Sequence, residues 1–415
     1  MQIGIVGLGY VGLPLAVAFA EAGHQVLGVD LDAAKVAALD RGESYIDDIS
    51  PQTLEALGER IRASTGPATL ADADAILVCV PTPLTPNREP DLGPLLDSAR
   101  ALAAVIRKDQ LVVIESTTYP GTTRDDVRPL LERSGLVAGE DFALAFSPER
   151  IDPGRSDYVM RNTPKVVAGL TDACRERAVA LYGEVCDDVV EVSTLEAAEL
   201  TKLLENIFRS VNIALVNELA IIADRMGIDI WEVVEAADSK PYGFMRFEPG
   251  PGMGGHCLPV DPFYLAWRAR QFDVPTEFIE LAGTVNQKMP FFCVEKIGRA
   301  LNEHEKSIKG SKILLVGVSY KGGIGDMRES PAIKIARLLS ERGAQLSYHD
   351  AFVPELPEFG LAGMALEDAL ADCDCAAIVT AHPGVDIGRI VELAPLVVDF
   401  RGATRGIRAE HLLRL

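Results

Sequence analysis

The feature that most constrains the fold of this chain is a glycine-rich turn near its first residue. The turn reads Gly-Leu-Gly-Tyr-Val-Gly over residues 7–12, between an apolar run at residues 3–6 and an apolar helical pattern that ends near Glu21. A second apolar run, residues 25–29, leads into Asp30. The segment thus contains, in order, a predicted strand, a G-x-G-x-x-G turn, a helix and a second strand that ends in an acid. The segment therefore predicts a βαβ unit that binds a dinucleotide.

This unit also predicts how the cofactor is held. Gly7 and Gly9 allow a tight turn and a close approach of the backbone to a pyrophosphate, which the N-terminus of the following helix favours. Asp30 would accept hydrogen bonds from the adenosine ribose, and a carboxylate at that place disfavours a 2′-phosphate. We therefore expect NAD rather than NADP. A glycine turn that serves packing alone is the less favoured interpretation.

Further apolar runs predict that these two strands belong to a larger sheet. Residues 75–80, 111–115 and 142–146 are typical of buried strands. Each run ends in a loop rich in proline, threonine or serine, and such loops line the ligand crevice at the carboxyl ends of parallel strands. We expect an N-terminal NAD-binding Rossmann domain over residues 1–192.

A long helix is predicted to follow this domain. Ser193-Thr194-Leu195-Glu196 fits a capping box, and no glycine or proline occurs between it and Gly227. At 1.5 Å per residue such a helix is about 50 Å long, which is enough to bridge two domains. A helical pattern continues to about residue 305. Residues 193–305 are therefore predicted to form a helical connector and dimerisation region.

The last part of the chain repeats the opening in outline. An apolar run at residues 312–317 ends in glycine, a helical pattern covers residues 331–342, and a second run at residues 346–349 leads to Asp350. The turn after the first run is longer and lacks G-x-G-x-x-G. Residues 306–415 therefore predict a second Rossmann-like domain that binds something other than the dinucleotide.

The predicted fold class is α/β, with two Rossmann-like, doubly wound domains joined by a long central helix and an α-rich middle region. A chain of 415 residues that is 48% hydrophobic can bury more than one core. We expect the active site in the cleft between the two domains.

Charge and apolar patterning exclude several classes of partner. The formal net charge of −21 argues against nucleic acid and anionic membranes as partners. No segment is expected to be long and apolar enough to span a bilayer. Residues 1–20 resemble a signal peptide but lack a basic start and are interrupted by glycines. Seven cysteines, an odd number, do not form a disulfide framework, so we expect a cytoplasmic protein.

A second glycine-rich segment contains a candidate nucleophile. Residues 249–262 include four glycines and place Cys257 on a loop just before a helix that begins near Pro262. A buried structural thiol is the ordinary interpretation of one cysteine. However, a glycine-rich loop buries a side chain poorly, and a nearby helix dipole or cation would favour the thiolate. No second pair of ligands accompanies His256 and Cys257 at metal spacing, so no metal is expected.

Four polar residues share one face of the predicted long helix. Glu199, Lys202, Asn206 and Arg209 recur at spacings of three and four. A solvated face is the ordinary interpretation, but much of the remaining surface of the helix is apolar, so this face can point into a cleft. Lys202 and Asn206 would then donate to negative charge that develops on oxygen, each contributing about 3 kcal/mol in a dry site.

Together these motifs resemble the UDP-glucose/GDP-mannose dehydrogenase family over nearly the whole chain. The matching stretches are residues 7–12, 115–123, 147–150, 199–206, 252–261 and 320–331. The resemblance implies a four-electron oxidation of a sugar's primary alcohol to a carboxylate, with two NAD used in succession. It also implies a thiohemiacetal and then a thioester on Cys257.

The resemblance implies roles for individual residues. Lys202 and Asn206 are implied to stabilise oxyanions, Asp261 and Glu149 to handle protons or water, and Thr118 to position the water or hydroxyl. The implied cofactor-binding residues are Gly7, Gly9, Tyr10, Val11, Gly12, Asp30, Lys35, Pro81, Thr82 and Thr118. The implied substrate-binding residues are Glu149, Arg150, Lys202, Asn206, Arg246, Gly254, Lys321 and Arg401, with Lys321 and Arg401 on the phosphates and Arg246 reaching across a dimer interface.

Departures from the family pattern bear on the substrate. Val260 stands where the UDP-glucose branch has lysine, and residues 147–151 read Ser-Pro-Glu-Arg-Ile where that branch has Asn-Pro-Glu-Phe-Leu. Both differences resemble the branch that acts on UDP-N-acetylhexosamines. UDP-N-acetylglucosamine is the first expectation, with UDP-N-acetylmannosamine or UDP-glucose as alternatives. Residues 244–247 and 322–325 also depart from the family's usual segments.

Two other classes of protein stay open at this point. A two-electron β-hydroxyacid dehydrogenase also joins a Rossmann domain to a helical domain and uses a helix lysine. It does not account for the second α/β domain or for Cys257. A non-catalytic NAD-binding sensor would leave Cys257, Lys202 and Asn206 without a task.

Overall fold

A computed structural model describes residues 1–46, 49–85, 87–151, 157–255 and 258–415. These residues form two compact units. The first unit comprises Met1–Glu205 and Phe263–Pro275, and the second comprises Asn206–Pro262 and Thr276–Leu415.

An eight-stranded sheet forms the centre of the first unit. Its strands are β1 (Gln2–Val6), β2 (Gln25–Val29), β3 (Ile61–Ser64), β4 (Ala75–Val78), β5 (Leu111–Ile114), β6 (Ala143–Phe146), β7 (Lys165–Gly169) and β8 (Val189–Glu191). They lie in the order β3-β2-β1-β4-β5-β6-β7-β8, with every neighbouring pair parallel except the antiparallel pair β6 and β7. Strands β4 to β7 are buried throughout, as expected for a sheet covered on both faces.

Helices cover this sheet, and short polar residues begin several of them. They are α1 (Gly12–Glu21), α2 (Ala33–Asp40), α3 (Pro51–Leu57), α4 (Gly93–Ala103), α5 (Arg128–Leu131) and α6 (Asp172–Tyr182). The side chains of Asp32, Ser50 and Thr171 accept hydrogen bonds from backbone N–H groups in the first turns of α2, α3 and α6. Helix α1 begins directly after the glycine turn, as predicted.

Four helices make up the middle of the chain: α7 (Leu195–Met226), α8 (Ile230–Asp238), α9 (Asp261–Arg270) and α10 (Glu277–Glu303). Helix α7 has 32 residues. The predicted start at Ser193 is too early, because the hydroxyl of Thr194 accepts the hydrogen bond from the N–H of Ala197 at 3.1 Å. With Thr194 as the cap, Glu196 is the second helical residue rather than the third, so the predicted capping box from Ser193 does not form, and Glu196 pairs with Arg124 at 2.6 Å.

The second unit contains a five-stranded parallel sheet. The strands of this part are β9 (Lys312–Val316), β10 (Gln345–His349), β11 (Glu355–Leu356), β12 (Leu361–Ala362), β13 (Cys375–Ile378), β14 (Val397–Asp399) and β15 (Leu412–Arg414), and its helices are α11 (Pro331–Glu341), α12 (Leu366–Ala371) and α13 (Ile387–Leu393). The sheet order is β10-β9-β13-β14-β15, and β11 pairs with β12 as a small antiparallel ladder. The repeat of the first βαβ unit is therefore confirmed.

Helix α7 meets the length and composition of a membrane-spanning helix. It has 32 residues, and 39% of an apolar 18-residue stretch within it is buried. The expectation that no segment is long and apolar enough was therefore wrong for this helix. A single helix of this kind is weak evidence for a membrane, since core helices of soluble proteins meet the same criteria.

Candidate active site

The glycine turn of the first unit has the geometry of a dinucleotide cradle. Gly7 has a φ of +90°, and a Cβ added there would lie 2.7 Å from the carbonyl oxygen of Cys79. A Cβ on Gly12 would lie 1.8 Å from the carbonyl oxygen of Gly7, so α1 can begin this close to β1 only with glycine. A Cβ on Gly9 would meet nothing within 4 Å. The backbone at Gly9 is therefore open to the close approach of a bulky group.

Asp30 lies at the end of β2 and is held by its surroundings. Its Oδ2 accepts from the N–H of Leu8 at 2.8 Å and from the ammonium of Lys35 at 3.2 Å, while Oδ1 accepts from the N–H of Asp32 at 2.9 Å. Burial acts to raise the pKa of Asp30, but these donors outweigh it and hold the pKa below its usual value. The carboxylate is therefore ionised and oriented toward the turn, as ribose binding requires.

The residues around this carboxylate complete the turn. Tyr10 is 44% exposed, and Val11 occupies the position before the first residue of α1. Tyr45, which the sequence did not single out, donates from its hydroxyl to the carbonyl oxygen of Leu8 at 2.7 Å. These features fit a pyrophosphate against the start of α1 and a ribose against Asp30.

Two loops at the carboxyl ends of β4 and β5 lie side by side. Thr82 is buried and donates to the carbonyl oxygen of Thr117 at 2.8 Å, while Pro81 is exposed. Thr118 is fully buried, and its hydroxyl lies 3.5 Å from Oε1 of Glu199 on α7. The structure thus brings three predicted cofactor residues to the same edge of the sheet.

Glu199 ties the second of these loops to α7. It is fully buried and accepts from the N–H groups of Gly121 and Thr123 at 2.6 and 2.9 Å, and from the hydroxyl of Thr123 at 2.7 Å. Burial raises the pKa of Glu199 to about 7. The sequence placed Glu199 on a polar helix face but did not predict a buried carboxylate beneath the Thr118 loop.

Glu149 follows β6 and lies in a buried ionic cluster. Its Oε1 accepts from the N–H groups of Arg150 and Ile151 at 2.8 and 2.6 Å. Its Oε2 lies 3.1 Å from the ammonium of Lys165, which also lies 2.6 Å from Glu115. Neither Lys165 nor Glu115 was predicted as a site residue, because each lies in or next to an apolar run, and such a run is typical of a buried strand.

Lys202 is the second charged site residue buried in the first unit. Burial acts to raise the pKa of Glu149, and the positive charge of Lys202 helps to lower it, after Lys165 and the N–H of Ile151. Within the described parts of the chain, no residue accepts a hydrogen bond from the ammonium of Lys202. The neighbouring Arg150 is engaged differently, because its guanidinium pairs with Glu205 at 2.7 Å. Among the described residues, Lys202 is therefore a buried cation that can donate to a ligand oxygen.

In the second unit, two predicted catalytic residues are in direct contact. The side-chain amide of Asn206 donates to Oδ2 of Asp261, and both residues are buried. Asp261 is the first residue of α9, one position earlier than the predicted helix start. Cys257 and His256 lie outside the described residues.

The glycine-rich loop before Asp261 packs closely against its own unit. The N–H of Gly250 donates to Asn217 at 2.9 Å, and the amide of Asn217 donates to Asn286 at 2.9 Å. A Cβ on Gly254 would lie 2.6 Å from Cβ of Tyr320, so this predicted substrate residue requires close approach. Residues 250–254 of the loop thus lie against α7, α10 and the segment after β9.

The predicted phosphate-binding residues occupy different settings. Burial lowers the pKa of Arg401, and the charge of Glu248 is the largest effect that opposes this shift. A Cβ on Gly250 would lie 2.7 Å from the guanidinium of Arg401, so this cation lies directly against the glycine loop. Lys321 is half-buried on the loop after β9. Arg246 is paired with Asp238 at 3.4 Å and with Glu248 at 2.8 Å.

Asp350 follows its strand as Asp30 follows β2, but its carboxylate has less capacity left to bind a ligand. Its Oδ2 accepts from the N–H groups of Val318 and Ser319 at 2.8 and 3.3 Å and lies 2.9 Å from Nε2 of His382, while Oδ1 accepts from the N–H groups of Phe352 and Val353 at 2.9 and 3.2 Å. The side chain is fully buried. These contacts use most of the acceptor capacity of a carboxylate. The second Rossmann-like sheet therefore lacks a free acid for a ribose at this place.

A glycine cradle and an oriented aspartate at the carboxyl edge of a parallel sheet, with buried charged groups nearby, define a dinucleotide-dependent oxidoreductase. Comparison with known proteins gives the family. The NAD binding domain of the UDP-glucose/GDP-mannose dehydrogenase family matches residues 1–186, its central domain matches residues 196–288, and its UDP binding domain matches residues 314–406. The chain therefore belongs to the UDP-glucose/GDP-mannose dehydrogenase family.

Individual relatives agree with this assignment. The chain is 34% identical to UDP-N-acetyl-D-glucosamine 6-dehydrogenase of Pseudomonas aeruginosa, over 100% of this chain and 96% of the relative. It is 35% identical to UDP-N-acetyl-D-mannosamine dehydrogenase of Escherichia coli K12, over 92% and 93%. The solved UDP-D-ManNAc dehydrogenase of Pyrococcus horikoshii superimposes with a TM-score of 0.91 at 30% identity, covering 100% of this chain and 99% of that one.

The prediction of an NAD-dependent UDP-sugar dehydrogenase is thereby confirmed, as are NAD as cofactor and the α/β fold class. The domain limits at residues 192 and 305 stay predictions.

Proposed function

We propose that this chain oxidises the C6 primary alcohol of a UDP-N-acetylhexosamine, first of all UDP-N-acetylglucosamine, to the uronic acid. The observation that carries this substrate class is Val260, which precedes Asp261 where the UDP-glucose branch has lysine. The names of the relatives from Pseudomonas aeruginosa and Escherichia coli support it, since both refer to acetamido sugars. UDP-N-acetylmannosamine is the first alternative and UDP-glucose the second.

The reaction consumes one alcohol, one water and two NAD⁺, and it forms one carboxylate, two NADH and three protons. Bound NAD supplies the hydride acceptor for each of the two oxidations. The Cys257 thiolate would add to the aldehyde carbon as a thiohemiacetal, and the second oxidation would give a thioester. Water would then hydrolyse the thioester and release the thiol.

The protein groups would stabilise and orient these steps. Lys202 would donate to the oxygen that gains negative charge, and its lack of a described acceptor supports this role. One N–H of the Asn206 amide is used by Asp261, which leaves the other for a substrate oxygen. Glu149 and Thr118 would orient the water or hydroxyl.

The other cysteines support Cys257 as the nucleophile. The six cysteines within the described residues are free and buried. Burial raises the pKa of Cys186 and of Cys373 to about 11, and it raises the pKa of Cys79, Cys293 and Cys375 as well. Such thiols are poor nucleophiles at neutral pH. They also suit a reducing compartment, and we propose a cytoplasmic enzyme.

An exposed apolar face on α7 supports a homo-oligomer. Phe208, Leu215, Leu219, Ile222 and Met226 recur at spacings of three, four and seven, and each is 44–66% exposed. A contiguous apolar face of this kind is typical of a surface that a protein partner covers. We propose that a second copy of the chain covers it. Light scattering should give a dimer or larger for the wild type and a smaller species for Leu219→Glu.

One stoichiometry experiment tests the function. Purified enzyme is given NAD⁺ and, separately, UDP-N-acetylglucosamine, UDP-N-acetylmannosamine and UDP-glucose. NADH is counted by absorbance, and the product is identified by mass spectrometry. Two NADH per sugar and a uronic acid are expected, with the highest kcat/KM for UDP-N-acetylglucosamine.

Other outcomes identify the alternatives. One NADH with an aldehyde or keto product indicates a two-electron dehydrogenase and contradicts the proposal. No NADH with any of the three sugars indicates a non-catalytic NAD-binding protein. A preference for UDP-N-acetylmannosamine or UDP-glucose contradicts the first choice of substrate but keeps the reaction.

A further inference from the structure

Three charged residues are buried together at the carboxyl edge of the first sheet. Lys165 begins β7, Glu115 follows β5 and Glu149 lies three residues after β6. They are only 2%, 2% and 8% exposed. Removing such charges from water costs several kcal/mol for each ion, and their mutual attraction does not reliably repay this cost. The cluster is therefore poorly explained as a stabilising device.

Glu115 is held in place by contacts on both of its carboxylate oxygens. Glu115 places Oε2 against the Lys165 ammonium at 2.6 Å, and its Oε1 accepts from the hydroxyl of Tyr182. Tyr182 lies on α6 and is fully buried. Glu115 therefore has little freedom to move, and the ammonium it holds has little freedom either.

The hydrogen bonds of Glu149 determine from which direction a further donor can reach its carboxylate. Oε1 is filled by the N–H groups of Arg150 and Ile151. Among the described residues, only Lys165 donates to Oε2, at 3.1 Å, which leaves one lone pair on that oxygen. A water or hydroxyl that donates to Glu149 is thus directed to a single position on Oε2.

The charges around Glu149 also determine how readily it takes a proton. Burial acts to raise its pKa, but Lys165, the N–H of Ile151 and Lys202 together hold the pKa below its usual value. Glu115 opposes them as a like charge. Burial likewise acts to lower the pKa of Lys165, and the two carboxylates raise it instead. The nearby thiols of Cys79 and Cys186 have raised pKa values and stay neutral.

We propose that Lys165 is a positioning residue that acts through Glu149, keeping this carboxylate ionised and aimed as a hydrogen-bond acceptor for the water or hydroxyl of the reaction. Glu149 then orients that group rather than storing its proton. This inference rests on the proposed function, because it gives Glu149 a part in that reaction.

The test compares four full-length variants with the wild type. Lys165→Gln removes the charge, Lys165→Arg keeps it, and Glu115→Gln removes the opposing charge with little change of shape. Lys296→Gln is the matched control, since Lys296 is also buried and paired with a carboxylate, that of Asp224. The pH dependence of kcat and the KM for NAD are measured for each, together with circular dichroism and thermal unfolding.

We expect the pH profile of kcat to depend on the charge at residue 165 and not on the stability of the variant. In Lys165→Gln, kcat at neutral pH falls about 10- to 100-fold and the acid limb of the pH profile moves to higher pH, while the KM for NAD is unchanged. Lys165→Arg returns the limb to its wild-type position. In Glu115→Gln the limb stays in place or moves to lower pH, because Lys165 then faces Glu149 alone. Lys296→Gln leaves the profile unchanged.

Other results overturn the inference. If Lys165→Gln folds and keeps the wild-type profile, Lys165 does not act through Glu149. If Lys165→Gln does not fold, Glu115→Gln decides, because an acid limb that moves to higher pH there has the wrong sign. A wild-type enzyme that forms no NADH overturns the proposed function and with it this role, whereas a working wild type with unshifted variants overturns the inference alone.

Discussion

Asn206 donates a side-chain hydrogen bond to Asp261, although 55 residues separate them in the chain. The bond joins the middle of α7 to the first residue of α9, and both side chains are buried. It orients the Asn206 amide, so the N–H that remains has a fixed direction. A preoriented donor needs little reorganisation when an oxyanion forms.

Removing this amide should impair chemistry rather than cofactor binding. In Asn206→Ala, kcat should fall about 100-fold or more, which corresponds to the loss of one oxyanion donor. The KM for NAD should stay unchanged, because the glycine turn and Asp30 are untouched. Asn212→Ala is the control, since that amide donates to the Phe208 carbonyl oxygen of the same helix. An equal loss in both variants would count against the role of Asn206.

Replacing Cys257 should stop the reaction between its two oxidations. Cys257→Ser should release about one NADH per active site and then stall, either as an ester or at the aldehyde. Rapid mixing with absorbance detection and intact-protein mass spectrometry distinguish these states. Cys174→Ala, a buried cysteine in α6, is the matched control and should turn over repeatedly. Normal turnover by Cys257→Ser would exclude this residue as the nucleophile.

Two glycines of the same turn should respond to alanine in different ways. Gly12→Ala forces a Cβ to 1.8 Å from the Gly7 carbonyl oxygen, so the backbone must shift and the thermal midpoint should fall by several degrees. Gly9→Ala meets no protein atom within 4 Å and should fold normally. It should raise the Kd for NAD about tenfold or more, measured by calorimetry, because the methyl group occupies the approach to the backbone. Unchanged NAD binding in Gly9→Ala would be inconsistent with the cradle.

Asp30 should determine the choice between NAD and NADP. Asp30→Ala removes the ribose acceptor, and the ratio of kcat/KM for NAD over NADP should fall about 10- to 100-fold. Asp32→Ala tests local stability instead, since Asp32 accepts from Ala34 and caps α2. It should lower the thermal midpoint and keep the cofactor ratio. A ratio that is insensitive to residue 30 would rule out this assignment.

Glu199 should make stability depend on pH. Burial raises its pKa from 4.5 to about 7, so between these values the folded protein holds a proton that the unfolded chain releases. This contribution is complete below about pH 4.5 and is lost as the pH rises through about 7, for a total of about 3 kcal/mol. Glu199→Gln should flatten this part of the thermal unfolding profile.

Glu196→Gln is the control for Glu199, and it should act in the opposite sense. Arg124 outweighs the effect of burial and lowers the pKa of Glu196, so its contribution is lost as the pH falls through that pKa. If Glu199→Gln keeps the wild-type profile between about pH 5 and 8, the carboxylate does not titrate there.

Much of the fold could be predicted because its signals are local. The glycine turn, the runs that became β1, β2, β4, β5, β6, β9 and β10, and the uninterrupted pattern of α7 all lie within short segments. The strands β3, β7, β8, β11, β12 and β15 were not predicted. They are two to five residues long, and all of them except β7 are only partly buried, so their neighbours in the sheet decide their conformation.

The sequence by itself determined the two Rossmann-like units and the cofactor, because periodicity and glycine spacing act over a few residues, while its resemblance to the family supplied the residues proposed for the reaction. Only the tertiary structure decided which charges meet. Lys165 lies 50 residues from Glu115 and 16 from Glu149, and Asn206 lies 55 from Asp261. No local pattern specifies such pairs. The first two pairs exist because the carboxyl ends of β5 and β6 lie beside Lys165 of β7. The third exists because packing within the second unit brings Asn206 of α7 against the start of α9.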